Sequence, residues 1–130
     1  MHLYEEYGEE CVTRLRGMFA FAIWDSRTKT LFAARDRIGI KPFFYSLDNQ
    51  QFLFGSELKA LLADEHFWNT REIDLDAFHS YLSFLCVPDP VCIYRGVSKL
   101  PAGHTLTLRD GRLTVRRYWD VTFRDEQGGD

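Results

Sequence analysis

The chain is poor in the residues that would tie it to a special class. It has three cysteines, Cys11, Cys86 and Cys92, an odd number without CxxC spacing, in 130 residues. That argues against a disulfide framework or a zinc site and reads as free thiols, buried, in a reducing compartment. No apolar run nears the roughly 20 residues of a membrane helix, and the N-terminus lacks the basic-then-apolar order of a secretion signal. No basic stripe stands out among 16 basic and 19 acidic residues, net charge -3, so nucleic acid is not an expected partner. There is no GxxxxGK[ST] or GxGxxG phosphate loop, no GxSxG elbow and no HExxH pair. His2, His66, His79 and His104 stand apart from one another, without metal-ligand spacing. They are read as structural or surface residues, and no metal ligand is assigned.

What is present is a packed-domain composition, 45% hydrophobic and 15% aromatic. Leu3 to Tyr7 and Glu10 to Leu15 read as helix with Gly8 as a break between them. Met18 to Asp25 reads as a strand apolar in both alternating sets, Met18, Ala20, Ala22 and Trp24 on one side and Phe19, Phe21 and Ile23 on the other. Such a strand is covered on both faces and is expected to be central. Asp25 to Lys29 turns it back into Thr30 to Ala34. Phe43-Phe44-Tyr45 and Gln51 to Phe54 form a second hairpin around Asp48-Asn49-Gln50. Ser56 suits a helix N-cap, with Glu57 in the first turn and Leu58, Leu61 and Leu62 as the buried stripe. Asp74 caps a further helix with Leu75, Phe78, Leu82 and Leu85 at helical spacing, ended by Val87-Pro88-Asp89-Pro90. Ser98 to Leu100 is a short strand, and Thr105 to Tyr118 a last hairpin about Asp110-Gly111. The tail from Arg124 to Asp130 reads as polar and frayed. Hairpins with interposed helices make an α+β fold of antiparallel sheet with flanking helices. The pattern leaves sheet-on-sheet and sheet-on-helix packing both open.

The sharpest charged cluster is Arg35-Asp36-Arg37. It reads as a structural network, Asp36 neutralised by two guanidiniums and holding a strand end against the Gly39 turn; the alternative is a contact surface for a carboxylate or a second domain. None of the cysteines reads as a nucleophile. Glu9 and Glu10 beside Cys11 disfavour its thiolate, and Cys86 falls at an apolar helix end.

The blocks Met18 to Asp25, Ala34 to Phe43 and Phe54 to Leu61, followed by Ile73 to Ala77, Val87 to Pro90, Ile93 to His104 and Arg117 to Asp120, resemble the amidotransferase domain of glutamine-hydrolysing asparagine synthetases nearly end to end. Class-II amidotransferases at large share the Gly17 to Phe21 and Asp36-Arg37 portions but generally not the Val87 to His104 run, so the resemblance favours asparagine synthetase over a sugar-aminating or purine-pathway enzyme. It implies a four-layer αββα sandwich of the N-terminal-nucleophile hydrolase kind, of which this chain holds part. Residues 1–120 would be the C-terminal part of that type-2 amidotransferase domain, and 121–130 a tail or linker towards a synthetase domain. In the family, glutamine is hydrolysed by an N-terminal cysteine whose own α-amine is the base, and ammonia passes through a tunnel to a domain that activates aspartate with ATP and magnesium. The nucleophile and the glutamine-binding residues would precede His2, and the Ser-Gly-Gly-x-Asp-Ser loop would follow Asp130. No catalytic or substrate-binding residue is therefore assigned within this chain, and the isolated chain is expected to be inactive. Met18 matches a position of the tunnel wall; Arg35, Asp36, Arg37, Gly39, Ser56 and Glu57 match motif positions read as structural. Glutamine and aspartate are the implied substrates, the cytoplasm the implied location, and no cofactor is assigned to the chain itself. A noncatalytic assembly module on the same scaffold is the competing reading. Self-association is expected from the uncovered strand edges.

Overall fold

The computed structural model describes residues 2–48 and 51–122; the polar tail expected from Arg124 onward lies outside them. Two antiparallel sheets stack between two helical layers. The first sheet has the order β1 (Ala20–Asp25), β2 (Thr30–Arg35), β6 (His104–Arg109), β7 (Arg112–Arg117). The second has the order β4 (Phe52–Gly55), β3 (Phe44–Leu47), β5 (Val97–Lys99).

Alternation along the strands decides the layering. In β2, Phe32 and Ala34 point to one side, where Cys11 and Val12 of α2 (Cys11–Arg14) meet them, with Tyr4 and Tyr7 of α1 (His2–Tyr7) packed around. Ala33, one residue out of phase, points to the other side and meets Leu106, Phe43 and Leu100 between the two sheets, beside Ala20 and Ala22. On the far side of the second sheet, Val97, Phe44 and Leu53 pack on Leu61 of α3 (Leu58–Leu62) and Phe67 of α4 (Glu65–Thr70). The packing is thus helix–sheet–sheet–helix, with the alanines of β1 and β2 letting the sheets approach closely. Both packing modes left open by the sequence occur in one stack.

Some local expectations are corrected. The strand expected from Met18 begins at Ala20 and is an edge strand; the central one is β2, all six of whose residues are buried. Helix α3 has Glu57, not Ser56, in the N-cap position, and no side chain caps it. Helix α4 is a segment the sequence reading passed over; its cap is Asp64, whose carboxylate accepts the Phe67 N–H at 2.8 Å. Asp74 caps α5 (Leu75–Phe84) as expected, accepting from Asp76 and Ala77. That helix ends before the prolines, at Leu85, whose left-handed φ of 58° turns the chain away. Its apolar side chains stay largely exposed, Leu82 at 61%. Cys11 and Cys92 are buried, whereas Cys86 is exposed. None of the described helices is long and apolar enough to cross a membrane.

Candidate functional site

The polar centre of the molecule is the loop that leaves β2, residues 35–42, at the open end of the β1–β2 hairpin. Asp36 is 1% exposed. Its carboxylate accepts three main-chain N–H groups: Ile38 at 3.2 Å and Ile40 at 3.0 Å on Oδ1, and Lys41 at 3.0 Å on Oδ2. Its main chain is fixed as well. The Asp36 N–H donates to Phe19 O at 2.8 Å, and its carbonyl accepts from Gly39 and Gly103. An aspartate suits this because a short carboxylate can collect amides from the turn just after it. Burial pushes its carboxyl group up, but the N–H groups of Lys41, Ile40, Ile38 and Gly39 outweigh burial and hold it below the usual carboxylate range.

The guanidiniums do not neutralise Asp36, contrary to the sequence expectation. Arg35 turns away from it into the space between the layers. Its Nε donates to Lys41 O at 2.7 Å, Nη2 to Gly39 O at 2.7 Å, and Nη1 to Leu100 O at 2.7 Å and to Asp89 Oδ2 at 2.8 Å. Four of its five N–H groups are thereby committed to the protein, so its fork is not open to a ligand carboxylate. Asp89 also faces Lys99 at 3.5 Å, and Lys99 Nζ donates to Val87 O. Arg37 reaches Thr13 O at 3.3 Å, while its Nε is buried without a partner among the described residues. Tyr118 OH donates to Arg35 O at 2.8 Å; burial first, and Asp36 behind it, raise the phenol above its ordinary value against the lowering effect of Arg37.

Gly39 carries the turn at φ +72°, and a Cβ there would lie 3.0 Å from Ala102 Cβ and 3.1 Å from Arg35 Cζ. Gly103 is tighter still: at φ +66° its Cβ would lie 2.6 Å from Trp119 O. These glycines let the 35–42 loop, the 101–104 segment and the chain after β7 share one crowded corner. The loop that results has its main chain held by the Asp36 carboxylate yet presents Ile38 and Ile40 to solvent.

The other singled-out residues lie apart from this corner or at its rim. Met18 sits just before β1 and is 60% exposed. Glu57 pairs with Lys59 at 2.7 Å on the surface, and Ser56 is exposed. Cys11 is buried, and burial raises its thiol, with Glu10 and Glu9 adding to the effect, which favours the inert protonated form. The residue that sequence reasoning missed is Asp89. It stands 54 positions from Arg35, and its only visible role in the sequence was in a helix-ending turn. No local pattern announces a partner at that distance.

Known proteins align with this arrangement along most of its length. Asparagine synthetase [glutamine-hydrolyzing] 3 of Bacillus subtilis is 40% identical over 122 residues, covering 93% of this chain and 20% of that protein. Asparagine synthetase [glutamine-hydrolyzing] 1 of the same organism is 41% identical over 125 residues, covering 95% and 19%. A putative asparagine synthetase [glutamine-hydrolyzing] 2 of Methanocaldococcus jannaschii is 36% identical over 119 residues, covering 92% and 23%. The chain thus spans about a fifth of the length of these relatives. The family model described as a glutamine amidotransferase domain matches residues 1–119. With that match running through both sheets and all four layers, the chain belongs to the glutamine amidotransferase domain family.

Proposed function

We propose that this chain serves as scaffold of the glutamine-hydrolysing module of an asparagine synthetase, in which ammonia released from glutamine amidates aspartate. The observation that carries this reading is the 40% identity to a relative of that name over 93% of the chain. The geometry supports a scaffold role for what the chain itself holds. The Arg35 and Asp36 side chains point their polar atoms at the protein's own backbone, and the Cys11 thiol is buried and protonated. ATP and magnesium belong, on this reading, to another part of the longer polypeptide. The setting is cytoplasmic. Met18 is assigned to the wall of the ammonia path: its thioether is apolar and only a weak acceptor, so it would neither protonate nor retain ammonia.

The test is a chimera. The matching segment of the Bacillus subtilis asparagine synthetase 3 is replaced by this chain, and asparagine is measured with glutamine or with ammonium as nitrogen source. The expected result is synthesis from both, while the chain alone releases no glutamate from glutamine. A folded chimera that uses ammonium but never glutamine would overturn the reading, because a compatible scaffold must support glutamine hydrolysis.

A further inference from the structure

We propose that the outward side of α5 is the docking face for an apolar helix of the polypeptide outside the amidotransferase domain. The inference rests on the reading of the chain as one module of a longer synthetase. It starts from the way α5 is turned. Leu75, Phe78, Leu82 and Leu85 recur at spacings of three, four and three, and they are 67, 44, 61 and 80% exposed. The residue that α5 buries is Ala77, at 1%. An amphipathic surface helix does the reverse and turns its large apolar residues inward. Spacing that alternates three and four is the seam of a helix pair, whose knobs enter holes on a facing helix.

Both ends of the helix are fixed to the body. At its start the Asp74 N–H donates to Ile93 O at 2.9 Å, and Ile73 bridges to Tyr94. Beyond its end Asp89 meets Arg35 Nη1 at 2.8 Å and Lys99 at 3.5 Å, and Lys99 Nζ donates to Val87 O. The stripe is therefore presented in a set orientation, with the turn that follows it anchored at the 35–42 corner. None of its four side chains belongs to the apolar clusters that fill the layers.

The surroundings of α5 narrow down what covers it. The helix hangs on the β5 side of the second sheet, where the bridge from Val91 to Ser98 and the Lys99 N–H donating to Pro90 O occupy the edge. Strands that extend this sheet would add at β4, across β3 from α5, and would not reach the stripe. The four side chains expose on the order of 400 Å², about half of what each partner of a standard interface buries, which is too little to hold two free copies together. A segment of the same polypeptide meets the stripe at an effective concentration of about millimolar, where so small an apolar contact suffices. There is length for such a segment: the match covers 20 and 19% of the two Bacillus subtilis relatives and leaves some four-fifths of each outside it. The stripe bears no charge, so its partner is recognised by shape and apolar surface, as a helix with large aliphatic residues at the same spacing.

The experiment uses the chimera with Bacillus subtilis asparagine synthetase 3, carrying the photo-cross-linker benzoylphenylalanine in place of Leu82. Irradiation should join position 82 to a residue of the same molecule outside the amidotransferase domain, located by mass spectrometry of the linked peptides. The same group in place of Asp110, at the tip of the last hairpin, should not give that product. In the chimera without the cross-linker, Leu82→Glu should speed amide exchange over residues 78–85 about tenfold or more while β2 keeps its protection, because an uncovered helix opens locally. The proposal fails if the photoproduct is a dimer, if the link lies only within the amidotransferase domain, or if none forms. It fails equally if Asp110 gives the same link, or if Leu82→Glu leaves exchange in α5 unchanged. A chimera that makes asparagine from glutamine without the link refutes the docking face and leaves the proposed function standing. One that forms the link but never uses glutamine refutes that function and leaves the docking face.

Discussion

Asp36 is the residue whose removal should cost this fold most for the fewest atoms changed. Its carboxylate is the acceptor for Ile38, Ile40 and Lys41 N–H, in a site 1% exposed. Asp36→Ala strands three donors; at about 1–3 kcal/mol for each buried donor left unpaired, and allowing some to relax towards water, the loss is about 4 kcal/mol. Asp36→Asn keeps one acceptor oxygen but turns an N–H₂ towards a main-chain N–H, which forfeits one bond and the charge on the rest, about 2 kcal/mol. Against a total stability of roughly 5–15 kcal/mol, both are large. Urea titration followed by near-ultraviolet circular dichroism reads them; with a slope of about 1–3 kcal/mol per molar, Asp36→Asn should lower the midpoint by about 1 M. The pH dependence has a fixed sign. The folded carboxyl titrates below its unfolded value of about 3.9, so its contribution is complete above that value and is lost as pH falls through the folded one. The gap between parent and Asp36→Asn should therefore narrow below about pH 4. If Asp36→Ala unfolds within about 0.5 kcal/mol of the parent, the ordinary scatter of surface changes, the carboxylate does not clamp the 35–42 loop.

Three further outcomes are expected. Asp74→Ala should destabilise by about 1 kcal/mol, whereas Ser56→Ala should stay within about 0.5 kcal/mol because no side chain caps α3; denaturant midpoints of the two compare them directly. Gly103→Ala should prevent cooperative folding, its Cβ falling 2.6 Å from Trp119 O on a left-handed backbone, and Gly39→Ala should cost about 1–2 kcal/mol from backbone strain alone; thermal melts would rank them. In the chimeric enzyme, Met18→Glu should leave glutamine hydrolysis and ammonium-dependent synthesis intact and lower asparagine formed per glutamine consumed; an unchanged ratio takes Met18 off the ammonia path.

The hairpins were legible because their signals are local. Asp110-Gly111 predicts a turn needing two positive φ angles, and the structure has +50° and +74° there. Asp74 ahead of an apolar period predicts its helix for the same reason. Where the reading slipped, a nonlocal preference had won. The double-sided apolar run from Met18 looked central, yet among the described residues it is the end strand of its sheet, its two faces covered by the α1–α2 layer and by the second sheet. Ser56 looked like a cap, but the chain remains extended through Glu57, at φ −133° and ψ 143°, and the helix starts one residue later. Charge sign suggested an Asp36–arginine cluster, but sequence neighbours on a strand end point to different sides, and nearby amides reach Asp36 first.

The arrangement of polar and apolar atoms separates two kinds of residue that a motif lumps together. Arg35, Asp36 and Gly39 direct their specificity inward: each is fixed by a main-chain partner or a close approach within the 35–42 loop and its neighbours at Asp89, Leu100 and Ala102. A substitution there should be felt as stability before it is felt as anything else. Apolar surface stays exposed elsewhere, on the side of α5 around Leu82 and at Met18 beside the start of β1. An apolar helix side left in water is a disfavoured arrangement, relieved only by another surface. A polar substitution on that side of α5, such as Leu82→Glu at a position 61% exposed, should spare the melt that the clamp at Asp36 governs.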